Sequence, residues 1–237
     1  MRKVGILLVL LALLLPMTGL GEVNGFETVF FGSFEQDNDT ENGAEPIEWL
    51  VLGEEKGYKL LLSRYGLDCA PYTTYYNHTT WAGCTLREWL GGEFLSGAFT
   101  SEEAELIRNT SCVNSKKTIP AEYKTNHDRS THISTGNNTR DKVFLLSYKE
   151  LTTYMPDVTT RACEPTPYAK AQGAYWTETN GCGWWWLRSM GSWTQTATVI
   201  YTSGNYRQLD VCLKDILVRP AIWVSEDAAC FGDSGSL

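Results

Sequence analysis

The chain has 237 residues, 43% of them hydrophobic and 12% aromatic, and a formal charge of −8. That acidic balance excludes nucleic acid and other polyanions as main partners, because binding them takes an excess of Lys and Arg. Length and apolar content suit a folded core, in one large domain or two small ones.

The chain opens MRKVGILLVLLALLLPMTGLG. Arg2 and Lys3, the apolar run from Gly5 to Leu15 and the small-residue step Gly19-Leu20-Gly21 predict a signal peptide over 1–21 and a mature chain beginning near Glu22. The alternative is a buried N-terminal helix. At ~1.5 Å per residue the run is too short for a ~30 Å hydrocarbon layer, so no membrane span is expected. The predicted location is secreted or cell surface.

"TVFFGSFEQ" reads as a strand. The acidic stretch "EQDNDTENGAEPIE", 35–48, is either a calcium loop near Asp37, Asp39 and Glu41, with Glu45 and Glu48 as further oxygen donors, or a solvated turn. It lacks EF-hand order, and no cofactor is assigned beyond that calcium alternative. Residues 47–52 and 58–63 alternate or run apolar around Glu54–Gly57, which predicts a hairpin. "TLREWLGGEFL" predicts a short helix with a Thr85/Glu88 capping box, weakened by Gly91-Gly92; Thr100 with Glu103 caps a second, and Ser147 with Glu150 a third that stops at Pro156. Residues 112–140 form a long polar excursion without a period, followed by a buried strand at "DKVFLLS".

"GCGWWWLRSMGSW", 181–193, concentrates tryptophan. If 184–189 is extended, Trp184, Trp186 and Arg188 share one face and Trp185, Leu187 and Ser189 the other, so one face can be core while the second stays near the surface. Gly191 and Ser192 break the run and place Trp193 toward solvent. "ATVIYTSGNYRQLDV" reads as a hairpin turning at Ser203-Gly204-Asn205, and "ILVRPAIWV" as one final strand, with Pro220 at an edge or bulge. Arg188 and Arg219 become sheet arginines, held by a carboxylate or carbonyl or else reaching a ligand.

Seven cysteines, Cys69, Cys84, Cys112, Cys163, Cys182, Cys212 and Cys230, in an exported chain predict at least two disulfides and one leftover thiol, with connectivity open. If the thiols stay reduced they become small buried hydrophobes. No CxxC, HxxxH, GxSxG, HExxH or P-loop occurs, so no catalytic residue and no metal ligand is nominated.

"FGSFEQDNDTENGAEPIEWLVL" (31–52), "DKVFLLS" (141–147), "YAKAQGAY" (168–175), "WWWLRSMG" (184–191) and "VRPAIWV" (218–224) together resemble, in order and spacing, a family of bacterial exported domains with no assigned function. Its members resemble distant relatives of the C-type lectin-like fold, shared with formylglycine-generating enzymes and with the variable receptor-binding proteins of diversity-generating retroelements. The resemblance implies an α+β, C-type lectin-like single domain over 22–237, mainly antiparallel with a few short helices. The family's Pro after the Trp run is Met190 here, and its Gly-rich strand-turn-strand passage is "TVIYTSGNYRQLDVCLKD", which alters the ligand surface.

The functional expectation is an exported module binding a glycan or a surface protein. Its nominated surface is Trp193, Gln195, Thr196, Tyr201, Asn205, Tyr206 and Gln208, flanked by Arg188 and Arg219: stiff rings for contact area, amides and hydroxyls for adjustable hydrogen bonds. The alternatives are a structural or adhesion component of the cell envelope and an enzyme related to formylglycine-generating enzymes. The last would need a copper-binding cysteine pair near the C-terminal end, where Cys212 and Cys230 lie outside any recognisable motif.

Overall fold

The computed structural model describes residues 21–75, 79–124, 134–193 and 195–232. The expected signal peptide lies outside them apart from Gly21. In chain order the strands are β1 (Gly21–Val23), β2 (Phe26–Phe34), β3 (Glu45–Glu54), β4 (Tyr58–Ser63), β5 (Asp68–Cys69), β6 (Thr110–Cys112), β7 (Thr139–Asp141), β8 (Val143–Phe144), β9 (Trp185–Met190), β10 (Thr196–Ile200), β11 (Tyr206–Asp210), β12 (Leu217–Val218) and β13 (Ala221–Ser225). The short helices are α1 (Thr85–Trp89), α2 (Leu95–Ala98), α3 (Ser101–Leu106), α4 (Tyr148–Tyr154) and α5 (Pro167–Ala171).

Six strands make an antiparallel sheet in the order β1-β2-β3-β4-β13-β8, and five make a mixed sheet in the order β11-β10-β9-β12-β5, where β12 runs parallel to β9. Strands β6 and β7 pair apart from both. The result is a single α+β domain, mostly antiparallel, with a few short helices. Its main apolar core draws on both large sheets and on the helices, from Trp49, Leu61 and Ile222 to Trp185, Val199 and Leu217.

The expected hairpin is β3–β4, closed by reciprocal backbone bonds between Glu55 and Tyr58. Lys56 (φ 54°) and Gly57 (φ 77°) both take the left-handed conformation that matches the twist of a two-residue hairpin loop. Both capping boxes at Thr100/Glu103 and Ser147/Glu150 form, and Pro156 follows α4 closely. The Thr85/Glu88 box does not: Cys84 is the N-cap of α1, and the Thr85 hydroxyl accepts the Thr74 N–H instead. A loop arriving from elsewhere in the sequence claimed that oxygen first. Gly91-Gly92 do loosen the helix, which widens to π geometry over Leu90–Phe94.

Two more expectations change. "DKVFLLS" is not one strand: Asp141 ends β7 and only Val143 and Phe144 form β8; Leu145 and Leu146 are buried outside any strand, and the Leu146 carbonyl accepts the Arg188 N–H. Residues 217–224 are two strands rather than one. At Arg219-Pro220 the chain leaves β12 in the five-stranded sheet and enters β13 in the six-stranded sheet. Pro220 therefore marks a change of sheet, not an edge, and its carbonyl accepts the Ser63 N–H. The polar excursion is closed at its base by β6 and β7 and carries its own small apolar contact, Ile119 and Tyr123 against Tyr206.

Candidate functional site

Strand β9 is interior to its sheet, between β10 and β12, and all six residues from Trp185 to Met190 are buried, so both its faces are covered. The expected surface-facing tryptophan side is thereby corrected: of that face only Trp184 is half-buried. Trp185 donates its indole N–H to the Arg161 carbonyl at 3.0 Å and Trp186 to Ala70 at 2.9 Å, so each ring is buried with its polar atom satisfied.

Arg188 and Arg219 reach different partners. Arg188 forks onto Glu150, with 2.8 Å from Nη2 to Oε1 and a second contact from Nη1 to Oε2, and it also donates to the Leu145 carbonyl and Asn114 Oδ1. Burial works to raise the Glu150 pKa, but the charge and hydrogen bonds of Arg188, with bonds from Ser147, together hold it below its ordinary value. Burial likewise opposes the Arg188 charge, and Glu150 more than compensates. Arg219, 1% exposed, donates to the carbonyls of Ser63, Arg161 and Arg64 and lies over the Trp185 ring at 4.8 Å. Burial lowers its pKa, and no carboxylate reaches it among the described residues.

The other nominated residues do not share one surface. Trp193, 47% exposed, sits at the β9–β10 turn, where its carbonyl accepts from Thr196 and the Gln208 amide oxygen accepts from the Ser192 and Thr196 hydroxyls. Gln208 thus braces this turn, and Gln195, half-buried beside it, accepts the Val211 N–H on its carbonyl. Tyr201 and Asn205 lie at the opposite end of the five-residue β10, about 17 Å away at ~3.4 Å per residue. The register pairs Ile200 with Tyr206 and Val199 with Arg207, which sends Tyr206 to one face of the sheet and Arg207 to the other. Tyr206 packs under α4 against Tyr148 (4.7 Å) and Tyr123, and its hydroxyl meets Glu122. Tyr201 follows the Arg207 side. Asn205 donates to the Ser203 hydroxyl.

On the Tyr201 side is an aromatic ladder of which only Tyr201 belongs to the nominated set. Trp184 stacks on Tyr201 at 4.6 Å and 11°, and Tyr175 covers Trp184 at 4.2 Å. Tyr175 and the adjacent Trp176 remain 38% and 39% exposed, and Lys170 lies over the Trp176 ring. The segment is held in place because Gly183 passes so near Tyr175 that a Cβ there would come within 2.4 Å of the Tyr175 carbonyl. The only hint in the sequence is the aromatic pair that closes "GAYW" after α5.

The acidic loop gathers Glu35, Asp37 and Glu45, whose ligand atoms lie within 4.8 Å of one another, an oxygen set suited to a hard cation such as calcium. Glu35 Oε1 is buried without a hydrogen-bond partner. Asp39 and Glu41, named with Asp37 from the sequence, are outside the cluster: Asp39 uses its carboxylate to accept the Glu41 N–H.

The expected disulfides are overturned, since all seven cysteines are free. Cys84, Cys112, Cys163 and Cys182 are buried, and several thiols donate to backbone carbonyls instead: Cys84 to Trp81, Cys182 to Asn180 and Cys69 to Ala169. Burial pushes Cys84 and Cys112 up to about 12, and Cys163 to about 11. These are small core side chains that suppress their own thiolates.

No helix among the described residues is long and apolar enough to cross a membrane. Residues 56–226 match the model of a family described as a domain of unknown function (DUF6273). The match runs from the β3–β4 turn through β13, leaving the acidic loop outside it. No curated protein and no solved structure matches the chain.

Proposed function

We propose that this chain, which belongs to the DUF6273 family, is an exported, C-type lectin-like module that binds a glycan. The observation that carries the reading is the ladder Tyr175–Trp184–Tyr201 with Trp176 beside it. Sugar rings present C–H faces that lie against aromatic rings, and rings already braced by stacking lose little freedom when a ligand arrives. Asn180 donates its side-chain amide to the Thr202 carbonyl and accepts the Cys182 N–H on Oδ1, which braces the turn beside the ladder. Trp193, at the other end of the hairpin, is a second and separate contact.

The test is a glycan array run with the full chain, in parallel with Tyr175→Ala/Trp176→Ala and Trp193→Ala. Loss of signal in the double variant with an unchanged melting temperature supports the ladder. Signal lost only in Trp193→Ala moves the site to the turn, and an empty array beside a specific protein captured by pull-down makes the ligand a protein.

A further inference from the structure

We propose a second ligand site on the other side of the five-stranded sheet: a cleft of about 340 Å³ between α4 and the polar excursion that binds a uronic-acid sugar. It is lined by Ser111, Ser115, Lys117, Lys149, Glu150 and Tyr154 among others, with Arg188 in its floor. The volume is at the small end of the ~300–1,000 Å³ of small-molecule sites, which suits one or two sugar rings.

Charge selects the ligand class. Arg188 and Glu150 neutralise one another in the floor, where a third of the Glu150 side chain faces the opening. That leaves the ammonium groups of Lys117 and Lys149, neither with a carboxylate partner among the described residues. A chain of formal charge −8 thus keeps a locally cationic cleft, where field lines concentrate between low-dielectric walls. A carboxylate is the complement of two such ammonium groups.

The rest of the lining suits a polyol better than a bare anion. The Ser111 and Tyr154 hydroxyls make no hydrogen bond with other described residues, and the Glu150 carboxylate is an acceptor for a sugar hydroxyl at the floor. The Tyr154 ring and the exposed Val113 supply apolar wall for the C–H face. This cleft does not share residues with the aromatic ladder, so the two stand or fall separately.

The experiment is NMR titration of the full chain with sodium glucuronate, glucose and sodium acetate. Glucuronate is expected to bind about tenfold more tightly than either glucose or acetate, the charge and the hydroxyls each contributing. Lys117→Ala/Lys149→Ala should lower glucuronate affinity by about tenfold or more, Lys117→Arg/Lys149→Arg should keep most of it, and Tyr175→Ala/Trp176→Ala should leave it unchanged. Absence of glucuronate binding, equal binding of glucose or acetate, or full affinity in the double alanine variant overturns the proposal. Glucuronate binding retained in a protein that gives an empty glycan array separates this site from the ladder.

Discussion

Glu150 closes the cap of its own helix and, with the same carboxylate, holds Arg188 in the middle of the neighbouring sheet. The Ser147 N–H reaches Glu150 Oε2 at 2.7 Å while the Arg188 guanidinium forks across both oxygens. One side chain thus joins a local helix signal to a buried strand arginine and supplies its counter-charge. Glu150→Gln leaves that guanidinium without its charge and should cost about 3–5 kcal/mol in urea denaturation at pH 7. The folded carboxyl titrates below its ordinary value of 4.5, so its contribution is complete above that value and fades as pH falls through the folded value. Wild type and Glu150→Gln should therefore converge below pH 4.5; a constant gap down to acid unfolding would refute the linkage.

The tryptophans divide by burial. Trp185 is fully buried with its N–H on Arg161, whereas Trp193 stands half in solvent. Trp185→Ala should lose about 3–5 kcal/mol, the removed area plus a cavity, and Trp193→Ala no more than about 0.5 kcal/mol. Equal melting temperatures in the two variants would contradict the assignment.

Gly204 and Gly25 make a matched pair. Both have positive φ, at 81° and 80°. A Cβ on Gly204 would fall 1.9 Å from the Val158 carbonyl oxygen, and one on Gly25 would meet nothing within 4 Å. Gly25→Ala should cost only the left-handed backbone, about 1–2 kcal/mol, and Gly204→Ala clearly more, because carbonyl and strand must part. Denaturant midpoints of the two variants decide it.

Thiol labelling should follow burial. In native protein at pH 8 an aromatic disulfide reagent should reach Cys212 first and then Cys69 and Cys230, whose burial pushes them to about 11 and about 12. Cys84, Cys112, Cys163 and Cys182 should stay protected, and all seven should react in denaturant. Fewer than seven there would reveal an oxidised pair.

What could be read from the sequence was local. The β3–β4 hairpin, two of three capping boxes and the exposed Trp193 depend on neighbours within a few residues, and those came out as the pattern implies. Thr85 failed as a cap because Thr74 competes for it, and Arg188 finds Glu150 across 38 residues, a partner that no spacing announces. Tyr201 and Tyr206 are close in the chain, yet the hairpin register sends them to opposite faces, which divides a surface that looks continuous on paper. Cysteine number suggested bridges because a count is visible in a sequence while burial is not.

The crossing at Arg219-Pro220 sets the order in which this protein can be completed. Strand β12 fits between β9 and β5, and β13 between β4 and β8, so a nine-residue segment near the end of the chain fills an interior gap in each large sheet. A nascent chain that has emerged only as far as Lys214 contains α1 to α5 and β1 to β11, but β4 and β9 still face open edges. Such edges are pairing templates for other chains until they are filled. Assembly is thus not a growth outward from the first residues to leave the ribosome; both sheets close together, as a keystone locks two arches, when residues 217–225 arrive.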